Sequence, residues 1–370
     1  MDDPDLSSMS AVWLYTGHSG QRALPEPCKT SSSRPLDSAA VEYIWSEIVR
    51  LHAVLKDADE WSFDARRLSA ESSHPLTVLT VYLTEKAGLR RNIKYDANKF
   101  VAFLMRVEGG YHNNPYHNKQ HVAGVVHLAN KLFYTLHDGG SQVFTAVEHF
   151  ALLLSAVVHD LGHGGVSNDY LIQTSSNLLG VHGKESLWEK HHLCRTLSLL
   201  QDPRYQFFEE CLPFHQDTML RMCRALVLQT DMAKHKDFMN TAEAASSRLA
   251  YGIQNGETAF GDKILLLQVV LKSADIGHCA LPPNVHEAWS RKMLEETRNE
   301  KHHRQVLKIE VPSYMDGNQP LALSQVGFIQ GTVIPLFELM AGLAKDAKPI
   351  LLGANRNLEF WLEKSTGSGK

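Results

Sequence analysis

An apolar run that ends in a histidine and an acid constrains this chain more than any other feature. The run is Phe150-Ala151-Leu152-Leu153-Leu154-Ser155-Ala156-Val157-Val158, and His159-Asp160-Leu161-Gly162-His163 follows directly. A stretch this apolar reads as a buried helix, not as a solvated loop. A core helix that closes on adjacent His and Asp delivers an imidazole and a carboxylate to one point in the interior. Such groups need a partner when buried, and a divalent cation serves both together. The plainer alternative is a His–Asp pair that merely closes the helix end. The dipeptide alone does not separate the two.

Two more segments tip the balance toward a metal. Tyr116-His117-Asn118-Lys119-Gln120-His121 places histidines at i and i+4, which on a helix share one face about 5–6 Å apart at Cβ. Further on, Asp275 follows the apolar run Ile264-Leu265-Leu266-Leu267-Gln268-Val269-Val270-Leu271. Folding the three segments together collects two imidazoles and two carboxylates. That mixed set suits zinc, and a bridging carboxylate admits a harder second ion such as magnesium or manganese.

The rest of the chain bounds the class. Its 370 residues carry a formal net charge of only −4, so no polybasic surface argues for nucleic acid, and an anionic ligand must be held by metals or local groups. The five cysteines (28, 194, 211, 223 and 279) show no CxxC spacing, which reads as free thiols in a reducing compartment. Uninterrupted apolar stretches reach about nine residues, short of the ~20 that span a membrane. Met1-Asp2-Asp3-Pro4-Asp5 does not open a signal peptide. The cytoplasm is the expected compartment, with any membrane attachment left to regions outside this chain. Residues 1–35, rich in Ser, Pro and Asp, read as a poorly ordered lead-in, and 365–370 as a disordered tail. Between them, residues 36–364 read as one compact all-α domain of many helices. Asp96 is positioned to cap a helix with Phe100, Phe103, Leu104 and Val107 on one face. Trp289, Met293 and Thr297 form an i+4 stripe. Leu321 to Leu343 reads as a long helix kinked at Pro335.

In order along the sequence stand Asn114-Pro115-Tyr116-His117-Asn118 with His121, then His159-Asp160-x-x-His163-x-Gly165-x-x-Asn168, then Glu189-Lys190-His191-His192. Thr230-Asp231-Met232, Ala274-Asp275 and Ser324-Gln325-Val326-Gly327-Phe328 follow. This set resembles the catalytic domain of class I cyclic nucleotide phosphodiesterases, kinetoplastid protozoan members among them, over about residues 80–362. The resemblance implies an all-α fold and hydrolysis of cyclic AMP, with cyclic GMP also accepted, to the nucleoside 5′-monophosphate.

The roles then fall as follows. His121, His159, Asp160 and Asp275 are the expected ligands of a tight zinc site, with Asp160 also reaching a magnesium or manganese ion. Two ions about 3.5–4 Å apart share a bridging hydroxide in such centres. His117 is the expected general acid for the departing ribose 3′ oxygen, oriented by Glu189. His163 and Thr230 are expected to hydrogen bond metal waters, while Asn168 supports the local backbone. By resemblance, Phe328 stacks on the purine opposite Ile276 or Met293, Gln325 reads the purine edge with a rotatable amide, and Tyr116 and Met232 complete the substrate pocket. Tyr111-His112-Asn113 copies the Tyr-His-Asn triplet but lacks a histidine at i+4, so it reads as a decoy. His182, in a Gly-rich stretch, reads as solvated.

Several positions depart from the family pattern. His127 replaces a glutamine, Gly124 an acid and Gly164 a proline. Around the base pocket, His278 stands where cyclic-AMP-selective members often carry asparagine, Thr297 where phenylalanine is common, and His286 where tyrosine is frequent. Neither purine preference nor oligomeric state follows from the sequence. The competing enzyme reading is an HD-superfamily phosphohydrolase acting on another nucleotide phosphoester, which needs the metals but not Gln325 and Phe328. A nucleotide-binding module with a silent centre is a third reading, disfavoured by the intact acid and ligands.

Overall fold

The computed structural model describes residues 37–136, 143–315 and 320–367, and all regular structure in them is helical. The lead-in expected at 1–35 lies outside the described residues. The helices that build the site are α1 (Lys119–Thr135), α2 (Ala146–Val158), α3 (Leu187–Leu200), α4 (Phe260–Asp275), α5 (Pro283–Leu307), α6 (Leu321–Phe328), α7 (Ile334–Leu343) and α8 (Lys348–Gly367). Because α8 continues through Ser365 and Thr366 to Gly367, the chain stays helical past the expected boundary at 364. Only 368–370 of the expected tail fall outside the description.

The centre is α2. Thr145 and Glu148 start it with a reciprocal capping box: the Thr145 hydroxyl accepts from the Glu148 amide at 3.3 Å, and Glu148 Oε2 accepts from the Thr145 amide at 2.7 Å. Two orphan donors are satisfied at once. Every residue from Val147 to Val158 is buried, as expected of a helix apolar all round. It packs against α1 and against Pro213–Leu228, and α1 in turn packs on α4. One continuous apolar core runs from Val41 to Trp361. Two small satellite clusters, Tyr116–Val285–Trp289 and Leu171–Leu187–Trp188, lie outside it.

Asp96 caps Ala97–Glu108 as expected, accepting from the amides of Asn98 and Lys99. The kink expected at Pro335 takes the form of a π-helical turn, Ile329–Val333, between α6 and α7. The widened turn accommodates a residue that lacks an N–H for the helical ladder. The whole run 321–343 is long and apolar enough to cross a membrane by length and composition alone. Here it packs against α8, α4 and His235–Asn255, which accounts for its apolar faces without lipid.

Candidate metal centre and active site

The donors come from helix ends. Asn118 caps α1, its side chain accepting from the amides of Gln120 at 2.8 Å and His121 at 3.3 Å. This cap puts His121 in the first turn and leaves His117 just before the helix. The two histidines therefore do not share a helical face, as the i, i+4 spacing predicts, although their rings still lie 6.0 Å apart. His159 and Asp160 follow the last turn of α2, and Asp275 is the last residue of α4. After Asp160 the backbone turns sharply at Gly162, with φ +80°. The left-handed φ favours glycine, and a Cβ there would come within 2.5 Å of the Arg195 guanidinium, which would have to move aside.

The four groups converge. His121 Nε2 and His159 Nε2 lie 3.1 and 3.2 Å from Asp275 Oδ1, and 3.6 and 3.2 Å from Asp160 Oδ2. His159 Nδ1 sits 2.9 Å from the Ala156 carbonyl and donates to it, so a neutral His159 turns the Nε2 lone pair toward the carboxylates. Lone pairs facing oxygen anions need a positive charge between them. Burial pushes the His159 pKa down, but Asp160 and Asp275 outweigh it and hold it well above the usual imidazole range. Burial likewise raises Asp160, yet His159 and its neighbours bring that carboxyl well below its ordinary value. Asp160 Oδ2 is buried with no hydrogen-bond partner. Two imidazoles and two carboxylates, one of them with an orphaned oxygen, bring four ligand atoms within 4.8 Å and fit a divalent cation.

Beside this cluster stands His117. Its Nδ1 meets Glu296 Oε1 in a short hydrogen bond, while Glu296 Oε2 accepts from the amides of Tyr116 at 2.9 Å and His117 at 3.1 Å. Burial lowers the His117 pKa, but the carboxylates of Glu296, first, and of Asp160 and Asp275 together more than offset this and leave it raised. The orienting acid is thus Glu296 and not Glu189. Glu189 instead accepts from Asn168 Nδ2 at 3.2 Å, and burial, with Asp231 next, pushes its carboxyl up to about 7. Asn168 also accepts from the Trp188 amide at 2.9 Å, the backbone-supporting role expected of it.

His163 stacks on His117 with ring centroids 4.0 Å apart, and its Nδ1 accepts from the Gly165 amide at 3.1 Å. Burial and the neighbouring His117 hold it well below the ordinary imidazole range, so it is neutral. Thr230 is buried and its hydroxyl donates to the Val227 carbonyl at 2.8 Å, which leaves only its lone pairs for any water. Sequence reasoning gave no specific role to His192. Its Nδ1 donates to the Leu161 carbonyl at 2.9 Å, and its Nε2 lies 3.9 Å from Asp160 Oδ1. His112, in the first Tyr-His-Asn triplet, is exposed and lies outside the donor cluster. His182, expected to be solvated, is buried near His191, and burial lowers it to about 4.

The base-pocket candidates divide. Gln325 and Phe328, three residues apart on α6, are both half-buried. Gln325 Oε1 lies 3.0 Å from Ser290 Oγ, which also lies 3.0 Å from the His286 carbonyl. A hydroxyl donates once and accepts twice, so Ser290 can satisfy either orientation of the amide. Ile276 is 9 % exposed and belongs to the core. Met293 is half-buried against the Tyr116–Trp289 cluster. Tyr116, at 4 % exposure, offers little open surface; its ring packs 4.6 Å from that of His121, a candidate ligand. Met232 is exposed, with its sulfur 3.9 Å from Lys272 Nζ.

A donor set of this kind at helix ends, inside an all-α fold, marks the HD-type metal-dependent phosphohydrolases. Within that class the chain belongs to the 3′5′-cyclic nucleotide phosphodiesterase family, whose model matches residues 116–354. It is 30 % identical over 308 residues to a probable 3′,5′-cyclic-AMP phosphodiesterase of Caenorhabditis elegans, covering 82 % of this chain and 45 % of that protein. It is 31 % identical over 306 residues to a human dual specificity calcium/calmodulin-dependent 3′,5′-cyclic nucleotide phosphodiesterase, covering 80 % and 41 %. The chain thus spans less than half the length of either relative. Among solved structures, the phosphodiesterase domain of a rhodopsin fusion protein from the choanoflagellate Salpingoeca rosetta shares the fold at TM-score 0.78 and 24 % identity, covering 84 % of this chain and 96 % of that one. LmjPDEB1, solved in complex with IBMX, matches at TM-score 0.74 and 25 % identity, covering 84 % and 93 %.

Proposed function

We propose that this chain hydrolyses cyclic AMP, with cyclic GMP also accepted, to the nucleoside 5′-monophosphate. The observation that carries the reading is His117, clamped by Glu296 beside four converged metal donors. His121, His159, Asp160 and Asp275 would hold zinc, and Asp160 would reach a second ion, magnesium or manganese. Bound there, such ions supply Lewis-acid chemistry: water acidified toward neutral pH and phosphate charge offset.

The chain's own residues do the rest. Glu296 occupies His117 Nδ1, so the free proton is the one on Nε2. As water adds to phosphorus and the P–O3′ bond breaks, that proton passes to the ribose 3′ oxygen. The anion behind it favours the charged form of His117, which an acid requires. His163, neutral and stacked on His117, fixes the ring plane without competing for the proton. Glu189, whose carboxyl lies near neutrality, sits by Asp231 and Asn168 on the far side of the loop. Gln325 reads the purine edge and Phe328 supplies the stacking face. The four described free cysteines, 194, 211, 223 and 279, suit a reducing cytoplasm.

The test is product analysis on the purified chain supplied with zinc and with magnesium or manganese. The expected product from cyclic AMP and cyclic GMP is the 5′-monophosphate. The 3′-monophosphate, or turnover confined to noncyclic nucleotides, would overturn the reading.

A further inference from the structure

A cavity separate from the proposed base pocket lies beside the metal donors. Trp61, Phe63, Gly124, His127, Trp289 and Ile350 form much of its wall, and it meets the centre through His121 and Asp275. Gln325, Phe328 and Met293, the residues set against the base above, do not line it. One face of α1 supplies a side of the cavity, because His121, Gly124, Val125 and Leu128 fall at i, i+3, i+4 and i+7. A glycine inside a helix weakens it, and Gly124 has neither a positive φ nor a close neighbour to require one. A Cβ there would meet no atom within 4 Å. What the glycine leaves is room, at a position where the family pattern has an acid.

The second departure from that pattern, His127, faces the same space. It is 3 % exposed, and its Nε2 has no hydrogen-bond partner. Burial lowers its pKa to about 4, so the ring is neutral, and the Ala58 and Glu60 carbonyls act on it as acceptors. With Nε2 unpartnered, the N–H that meets a carbonyl is on Nδ1, and Nε2 keeps a lone pair. A buried acceptor left unmatched is costly and uncommon. Phe63 packs on the same ring with centroids 4.7 Å apart. The acids on the wall offer no spare charge: Asp64 pairs with Arg66 at 2.8 Å, and Asp275 is a proposed metal ligand. These walls suit an occupant that is neutral, flat and apolar, with one hydrogen to donate.

We propose that this cavity is a second ligand site, for a small neutral aromatic molecule of the phenol class whose hydroxyl donates to His127 Nε2 and whose ring lies among Trp61, Phe63 and Trp289. The site goes beyond the hydrolytic reading and does not depend on it. Its occupant would touch the wall that His121 and Asp275 share without entering the base pocket.

Phenol itself is the probe, titrated into the zinc- and magnesium-loaded protein, with toluene as the analogue of similar shape that lacks the hydroxyl. Long-range 1H–15N NMR follows His127, assigned by its loss in His127→Phe, and calorimetry gives the affinities. Phenol should shift the Nε2 resonance saturably and bind about fivefold tighter than toluene, the worth of one neutral hydrogen bond. In His127→Phe the two should bind alike. Gly124→Met sends a side chain into the open space and should abolish phenol binding, with zinc content and melting temperature kept. No saturable shift, equal affinity for phenol and toluene in the wild-type protein, or binding that survives Gly124→Met would overturn the site. Should Gly124→Met fail to fold, the comparison of phenol with toluene in wild type and His127→Phe still decides it.

Discussion

Glu296→Gln tests the acid most directly. The carboxylate now serves three donors: His117 Nδ1 on one oxygen and the Tyr116 and His117 amides on the other. Glutamine keeps the shape but has one acceptor oxygen. If that oxygen stays with the two amides, the new NH2 faces His117 Nδ1 and requires a lone pair there. The imidazole is then neutral, and the proton left on Nε2 is far too weakly acidic to serve as the acid. A hydrogen bond to a charged group is worth about 1.5–3 kcal/mol, and one pKa unit is about 1.36 kcal/mol, so the His117 pKa should fall by about 1–2 units. The sign follows from the role. An acid must be protonated, so lowering its pKa moves the alkaline limb of the kcat/KM profile to lower pH. Above the wild-type limb the loss is about 10- to 100-fold; on the acid side the two profiles converge. Zinc content should not change, because Glu296 touches none of the four donors. A pH profile with metal analysis checks this. An unmoved alkaline limb, or lost zinc, would refute the assignment of Glu296.

Other substitutions separate the remaining roles. Asp275→Ala should abolish activity and empty the zinc site, whereas His117→Ala should cost roughly 10²–10⁴ in kcat and keep the metal; elemental analysis beside kinetics distinguishes them. Gln325→Ala should weaken kcat/KM for both cyclic nucleotides by about 1–3 kcal/mol, chiefly through KM, and an unchanged KM for both would remove Gln325 from the base contact. Gly353→Ala would drive a Cβ to 2.2 Å from the Ala280 carbonyl oxygen. Because that backbone cannot yield cheaply, a lowered melting temperature is expected.

Three of the four candidate ligands, His159, Asp160 and Asp275, were legible because they close apolar helices, where a polar group needs a partner. The true start of α1 was also legible: Asn118 is a capping residue ahead of a helical run, and reading it would have placed His117 outside the helix. Glu296 was hidden for a physical reason. It lies on α5 among Glu287, Glu295 and Glu300, and in a charged helix one acid looks like another. Only its spacing marks it. Trp289, Glu296, Glu300 and Arg304 fall on the buried side of α5, so the acids on that side are partnered interior groups and not a solvated face. Glu189 carried a motif signal, but sequence proximity to other site residues did not give its direction.

The same helix geometry explains why a cation is wanted here before any side chain is counted. The C-terminal ends of α2 and α4 both meet the site, through His159–Asp160 and Asp275. A helix C-terminus carries about half a negative charge on its free carbonyls. Two such ends with two carboxylates make an anionic pocket, while His163 and His192, with pKa values held below the ordinary imidazole range, chiefly by burial, add no positive charge to offset it. The loop that follows Asp160 is held rigid at the same time. Ser167 donates through its amide and hydroxyl to Glu300 at 2.7 and 2.8 Å, and the fully buried Arg304 binds Glu300 and Asp169 at 2.8 Å each. That network joins the loop after the HD pair to α5, the helix that also carries Glu296. The residue that orients His117 and the loop behind the HD pair are therefore both held by α5. A shift of α5 would move the proton donor and the loop behind the ligands together, which keeps acid and metal in register as the fold breathes.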